Sequence, residues 1–330
     1  MRWCAGTLRR VSSTESVPAG DINRKPTDAE TTPAMPELLW HYTDAAGLLG
    51  ILGGGAGQIA GEPVARFWAT GIEYLNDHQE LVHGLKFVRD TLANFIAEFR
   101  AITYRPDEPH IFVNIPGKVA FLEHLRDGIT AVIDGTYPYS IHCYVTSFST
   151  EPDLLSQWRG YGAGLDGYAL AINPAGLTEQ GGHPLRPGGH FAPVHYGHGA
   201  AADQIGAEVV GRLHQLLVPT EAPSASDQMV NQSLRWIAVL ASRLKHQGFR
   251  EEAEWRLIEP GYADGASYRT RGTSLIPYST WSLKGDRIMG VKVGPSPTQK
   301  QNVRAVRGFL YRNGFVTAAE NVTWSDTPFR

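Results

Sequence analysis

Between Leu244 and Ile258 the chain reads Leu-Lys-His-Gln-Gly-Phe-Arg-Glu-Glu-Ala-Glu-Trp-Arg-Leu-Ile, and the second half of that run leaves little choice of backbone. From Glu252 onward charged and apolar residues alternate: Glu252, Glu254 and Arg256 against Ala253, Trp255 and Leu257, with Ile258 extending the apolar signal. Successive side chains on a strand point to opposite faces. The alternation therefore predicts a strand with two carboxylates and a guanidinium on one surface, and with Trp255 and Leu257 turned to the core. A solvated edge strand carries the same pattern, and this stretch alone does not separate the two readings.

A chain of 330 residues, 42% hydrophobic, can bury one large core or two modest ones. From Ser12 to Pro36 it is rich in Ser, Thr, Pro and Asp and nearly lacks large apolar side chains. Such a stretch cannot offset the entropy of ordering, so residues 1–36 are expected to be a disordered tail. Met1 to Val11 holds Arg2, Arg9 and Arg10 but no apolar run of about seven residues, so it does not read as a secretory signal. No segment approaches the ~18 uninterrupted apolar residues of a membrane span. Cys4 and Cys143 are the only cysteines, which argues against a disulfide framework or a structural zinc. A soluble, cytoplasmic protein with no membrane partner is expected. The net charge of −3 argues against a general polyanion binder.

Strand and helix signals then mix without a regular βαβ rhythm. Leu38 to Thr43 reads as a strand, and Asp44 caps a helix bearing Leu48, Leu49 and Leu52, stopped by Gly53-Gly54-Gly55. Arg66 to Thr70 is a second strand. Asp77 and Glu80 form a capping box before Leu81, Leu85, Val88, Leu92, Phe95 and Phe99, whose three-to-four spacing predicts a long helix. Strands are predicted over 141–149, 167–172, 273–277 and 288–294, and helices over 204–217 and 227–246. A last helix is expected to start at Ser296-Pro297 and end at Gly314. The pattern favours a single mixed α+β domain over residues 37–330, an antiparallel or split sheet with surrounding helices, over a doubly wound parallel sheet.

Several groups of residues have the chemistry of a site. His41-Tyr42-Thr43 closes the first strand, where sites are commonly built, although a histidine there is also a common structural residue. Asn76-Asp77 reads equally as a helix cap. Ser147-Phe148-Ser149 puts two hydroxyls on one strand face, able to hold a ligand or to tie down a turn. Trp158 and Tyr161 bring stacking surfaces to a Gly-rich bend, Gly160 to Gly164, that precedes a strand and so fails the dinucleotide fingerprint. His183, His190, His195 and His198 are too irregularly spaced for a zinc site.

Taken in order, His41-Tyr42-Thr43, Leu75-Asn76-Asp77, Ser147-Phe148-Ser149, Trp158 with Tyr161, Phe249 through Arg256, Gly294-Pro295, and Ser325 with Phe329-Arg330 resemble the motif set of a large bacterial and phage family. Its domain is known only as one of unknown function. More distantly, a first strand bearing His-Tyr-Thr and running directly into a helix resembles the start of the ADP-ribosyltransferase fold, in its toxin and DNA-modifying branches. That resemblance implies that NAD is the substrate, with an unknown protein or nucleic-acid acceptor, and that phage defence or a toxin system is the setting. The chain's own residues leave a housekeeping modifier equally open. It implies His41 at the adenosine ribose, Ser147 or Ser149 in the nicotinamide pocket, and Glu254 or Glu252 as the catalytic carboxylate. His in the first position with Ser in the middle combines two branch patterns.

The chemistry suits these side chains. Breaking the nicotinamide–ribose bond develops positive charge on the sugar, which a fixed carboxylate stabilises by about 3 kcal/mol or more. The second carboxylate can deprotonate the acceptor. Arg256 can keep its neighbour ionised or meet a pyrophosphate, and Tyr42, Trp158 and Tyr161 can stack on a flat heterocycle. No metal is required. His41, Ser147 and Glu254 are therefore expected around one pocket. Two other classes remain open: a nucleic-acid-processing enzyme holding magnesium on Asp77, Glu252 and Glu254, and a non-catalytic interaction protein in which Glu254 and Arg256 are merely paired.

Overall fold

The strand expected from the Glu-x-Glu-Trp-Arg block starts two residues later than the alternation suggests, at Glu254, and runs to Pro260. Gln247–Glu252 before it is a 3-10 turn, and Ala253 makes the junction in the left-handed region, φ 42°. The computed structural model describes residues 34–53, 58–59, 62–75, 78–101, 114–162, 167–175, 177, 190–197, 199–217, 227–261 and 265–328. The expected tail, up to residue 33, lies outside the described residues, as do Asn76, Asp77, His183, His198, Phe329 and Arg330.

In chain order the strands are β1 (Leu39–Thr43), β2 (Gln58–Ile59), β3 (Glu62–Gly71), β4 (Cys143–Ser149), β5 (Tyr168–Ile172), β6 (His190–Pro193), β7 (His195–Tyr196), β8 (Leu244–Lys245), β9 (Glu254–Pro260), β10 (Ser267–Arg271), β11 (Ser274–Lys284), β12 (Ile288–Val293) and β13 (Val322–Trp324). The helices are α1 (Ala45–Leu52), α2 (His78–Ala101), α3 (Ile115–Ile133), α4 (Leu155–Tyr161), α5 (Ala200–Leu217), α6 (Asp227–Ala241), α7 (Gln299–Arg312) and α8 (Val316–Glu320). The fold is mixed α and β, a largely antiparallel open sheet with helices around it; the β12–β13 and β7–β8 pairs are parallel.

The sheet forks at β4. One edge of β4 pairs with β9 along its whole length, from Cys143 opposite Pro260 to Ser149 opposite Glu254. The other edge is shared: β3 takes Tyr144 and Val145, and β1 takes Ser149. One wing continues through β11 to β10, the other through β5 and β12 to β13, while β6 closes the far side of β9. Because β9 is paired on both edges and buried from Glu254 to Glu259, it is a central strand, which excludes the solvated-edge reading.

Opposite residues in an antiparallel pair share a face. Ser147 with Arg256 and Ser149 with Glu254 therefore lie on the face that also carries Cys143, Val145 and Ile258, covered by a core from α2, α3, α5 and α6. Phe148 with Trp255 and Thr146 with Leu257 lie on the other, packed with Phe67, Trp281 and the apolar sides of α1 and α7.

The periodic helix is present, with Leu81, Leu85, Val88, Leu92, Phe95 and Phe99 all buried. In α1 the buried side is Leu48, Ile51 and Leu52, and Leu49 is 56% exposed. The helix expected over 227–246 stops at Ala241, freeing Leu244–Lys245 to pair with His195–Tyr196. Trp158 and Tyr161, read as part of a bend, sit on α4. The helix expected from Ser296-Pro297 is α7, which begins at Gln299, so Pro297 precedes it and is not its first residue; α8 follows it.

Candidate functional site

On the helix-covered face, the polar side of β9 meets α2 and β8 in a buried charge cluster. Arg256 grips Glu254 with two nitrogens, Nε to Oε1 at 2.7 Å and Nη2 to Oε2 at 2.9 Å. It also reaches Glu80 of α2 through Nη2 at 2.5 Å and donates Nη1 to the Ser242 carbonyl at 2.7 Å. Lys245 joins three carboxylates, with Nζ 2.7 Å from Glu80, 2.5 Å from Glu252 and 3.1 Å from Glu254. The Phe249 ring lies 4.7 Å from that ammonium. Three carboxylates against two cations leave one formal negative charge in a place with little water.

The electrostatics separate the two glutamates. Burial would raise the Glu254 carboxyl, but Arg256, Lys245 and hydrogen bonds from Arg256 and Ser147 outweigh it and hold it down at about 2. Glu252 goes the other way: burial raises it, and the opposing pull of Lys245 does not fully compensate. Its side chain is the most exposed in the cluster, 18% against 6% for Glu254 and 9% for Glu80. Burial and the opposing carboxylates have opposite effects on Lys245, and the carboxylates win, keeping it protonated.

Neighbouring groups orient both glutamates. The Ser149 hydroxyl donates to the Glu252 carbonyl at 2.7 Å and accepts from Glu151 N at 3.0 Å. Tyr196 accepts the Glu254 amide at 2.8 Å. Tyr161, 39% exposed at the end of α4, has its phenol pushed up to about 12 by burial of the hydroxyl and by Glu254.

Of the residues singled out in the sequence, Ser147, Ser149, Tyr161, Glu252, Glu254 and Arg256 come together here. The others do not present themselves to a ligand. His41 lies on the opposite face, its ring 5.3 Å from Phe67 and 5.6 Å from Phe148, in the fork between β1 and β3. Its Nδ1–H donates to the Ser147 carbonyl at 2.9 Å, and burial lowers its basicity. The two side chains stay apart, because the His41 ring bonds the backbone carbonyl of a residue whose hydroxyl lies on the other face. Thr43, paired with Tyr168, shares the His41 side of β1. Tyr42 and Trp158 are on the cluster's face but buried edge-to-face against one another, ring centroids 4.7 Å apart, with no free surface for stacking. The Tyr42 hydroxyl is committed to Glu151 O and Leu154 N.

Glu80, Lys245 and Tyr196 escaped sequence reasoning. In the sequence Glu80 fits a capping box, and Lys245 falls in the helix predicted over 227–246. Of the three residues named for magnesium, Glu252 and Glu254 both meet the Lys245 ammonium, and Asp77 lies outside the described residues. Of the irregular histidines, His190 and His195 stand on β6 and β7. Among the described residues, no group of His, Cys, Asp or Glu is arranged to hold a metal ion, and no helix is long and apolar enough to cross a membrane.

No curated protein and no solved structure matches the chain. Residues 157–257, the stretch that holds Tyr161, Tyr196, Lys245, Glu252, Glu254 and Arg256, match the model of the family described as "Protein of unknown function (DUF2971)", and the match supports a domain-of-unknown-function family for this part of the chain.

Proposed function

We propose that the chain is an ADP-ribosyltransferase-like enzyme that splits the nicotinamide–ribose bond of NAD and passes ADP-ribose to a protein or nucleic-acid acceptor, with the buried charge cluster as its catalytic centre. The observation that carries the reading is Glu252, a carboxylate of raised pKa at the exposed side of a preorganised cluster with a net negative charge. The glycosidic C–N bond breaks with its electron pair leaving on nicotinamide. The acceptor then bonds to the ribose carbon and gives its proton to Glu252, whose raised basicity suits a general base. Glu254, clamped by Arg256 and Lys245, contributes a charge that need not move as the sugar becomes cationic. The exposed ring of Tyr161 supplies a surface for the nicotinamide. His41, buried on the far face, takes no part, so the ribose contact implied by the resemblance has no counterpart in that residue.

A second reading has its own support. Each oxygen of Glu80 and Glu254 already meets a cation, as expected of a structural ion network in an interaction protein. Titration calorimetry with NAD, followed by assay of released nicotinamide, separates the two. The enzyme reading requires binding and nicotinamide release by the purified chain, with transfer of ADP-ribose to the acceptor, but not release, lost in Glu252→Gln. Absence of both binding and release in the wild type leaves the structural network.

A further inference from the structure

A second carboxylate, Asp153, gathers donors from two distant parts of the chain. Its Oδ1 accepts the Trp158 indole N–H at 2.8 Å, the Thr327 hydroxyl at 3.0 Å and the Ser325 hydroxyl; its Oδ2 accepts the Asp326 amide at 2.9 Å. Ser325 is buried, and it belongs to a motif that the cluster leaves unexplained. What these bonds hold is α4, seven residues long and with no side-chain cap at its start. A helix of two turns does not support itself.

The turn between β4 and α4 is bound at each step. The Tyr42 hydroxyl donates to Glu151 O at 2.7 Å and accepts from Leu154 N at 3.1 Å. The Glu151 amide donates to Ser149 Oγ, and that hydroxyl donates to the Glu252 carbonyl. Thr150 N adds a bond to Ala253 O at 3.1 Å. Bonded contacts thus run from Ser325–Thr327 through Asp153 and the 149–154 turn to the backbone of Glu252. Through α4 they also reach Tyr161.

We infer that Asp153 is a positioning residue, holding α4 and the 149–154 turn against the Ser325–Thr327 segment so that Tyr161 and Glu252 stand at the exposed side of the cluster. The inference rests on the proposed catalytic reading of that cluster for its consequence in turnover, but not for its geometry. Asp153 touches neither glutamate, so its effect must pass through the turn and the helix.

The test follows the Glu252 carboxyl by NMR titration of the full chain, its signal assigned by loss in Glu252→Gln, together with the Tyr161 ring signals, assigned through Tyr161→Phe. Glu252 faces Lys245, Glu254, Glu80, Tyr161 and Tyr196, none of which Asp153→Asn alters. In Asp153→Asn the Glu252 midpoint should fall toward the ordinary carboxylate value as the turn loosens and water enters. The Tyr161 signals should shift with it. Ser325→Ala should move both in the same direction by less, and Ser325→Thr, which keeps the hydroxyl, should restore them. Unchanged Glu252 and Tyr161 signals in Asp153→Asn and Ser325→Ala overturn the inference; if Asp153→Asn does not fold, Ser325→Ala decides. With NAD, Asp153→Asn should lower kcat about tenfold or more through Glu252 and raise KM through the displaced Tyr161. A wild type that releases no nicotinamide removes the catalytic reading, and the carboxyl titration still decides the positioning role.

Discussion

Replacing Glu254 by Gln removes a charge that Arg256 and Lys245 both use, and leaves two buried cations facing Glu80 with a partly exposed Glu252. Breaking a buried ion pair from one side costs about 3–5 kcal/mol. Glu254→Gln is therefore expected to lower stability by about that amount in denaturant unfolding, whereas Glu252→Gln should change it by less than ~1 kcal/mol and abolish ADP-ribose transfer to the acceptor while release of nicotinamide persists. The acid limb follows from the same contrast. The Glu254 carboxyl is held near 2 in the folded chain, below its ordinary 4.5. Its contribution is complete above pH 4.5 and is lost as pH falls from there toward 2, because the unfolded chain protonates first. Chemical denaturation across that window should show stability falling with pH in the wild type and a flatter profile in Glu254→Gln. The alternation of Glu254, Trp255, Arg256 and Leu257 made the strand and its two faces legible. The burial of the charged face was not legible, because alternation ordinarily marks a solvated side. Here two cations offset two of the three carboxylates and the third stands at the more exposed side, so the charged side could also go under the helices.

Helix α2 delivers Glu80 to the cluster, and it can do so because of its contact with the end of α6. A Cβ on Gly84, one turn after Glu80, would stand 2.0 Å from the Ala241 carbonyl oxygen. Gly84→Ala must push α2 away from α6, at a cost of about 1–3 kcal/mol for overpacking, and must move Glu80 with it. Thermal unfolding should register the loss, and the Lys245 and Arg256 side-chain NMR signals should shift although neither residue is changed. The long helix was plain in the sequence from its six apolar positions. Its role in the site was hidden, because Glu80 satisfies a local capping pattern as well as it does a distant salt bridge. Helix α3 is not predicted from the sequence, although Asn114 accepts the Gly117 amide as a cap and Pro116 stands in the first turn, where proline is tolerated. The end of α6 was misplaced because Ser242-Arg243 carries no glycine or proline to mark the stop. That hid β8 and, with it, Lys245.

At the scale of the whole sheet, the mixed antiparallel architecture followed from scattered strands among helices of unequal length. The fork did not, since it depends on β4 sharing one edge between two distant strands. That fork carries a cost under acid. Where β1 and β3 part, His41 fills the gap between Phe67 and Phe148, and its N–H satisfies a Ser147 carbonyl. Burial holds its basicity below the ordinary 6.5, so the unfolded chain takes up a proton near pH 6.5 and the folded chain only at lower pH. Stability from this residue is present above pH 6.5 and drains away as pH falls below it. The wild type should lose stability below about pH 6.5, roughly 1.4 kcal/mol for each unit of depression. His41→Asn, which keeps a donor and cannot ionise, should lose its share of that limb while keeping the share of His190, whose basicity burial also lowers, and the limb due to Glu254. The seam between the wings would then feel mild acid well before Glu254 in the carboxylate cluster gives up its charge.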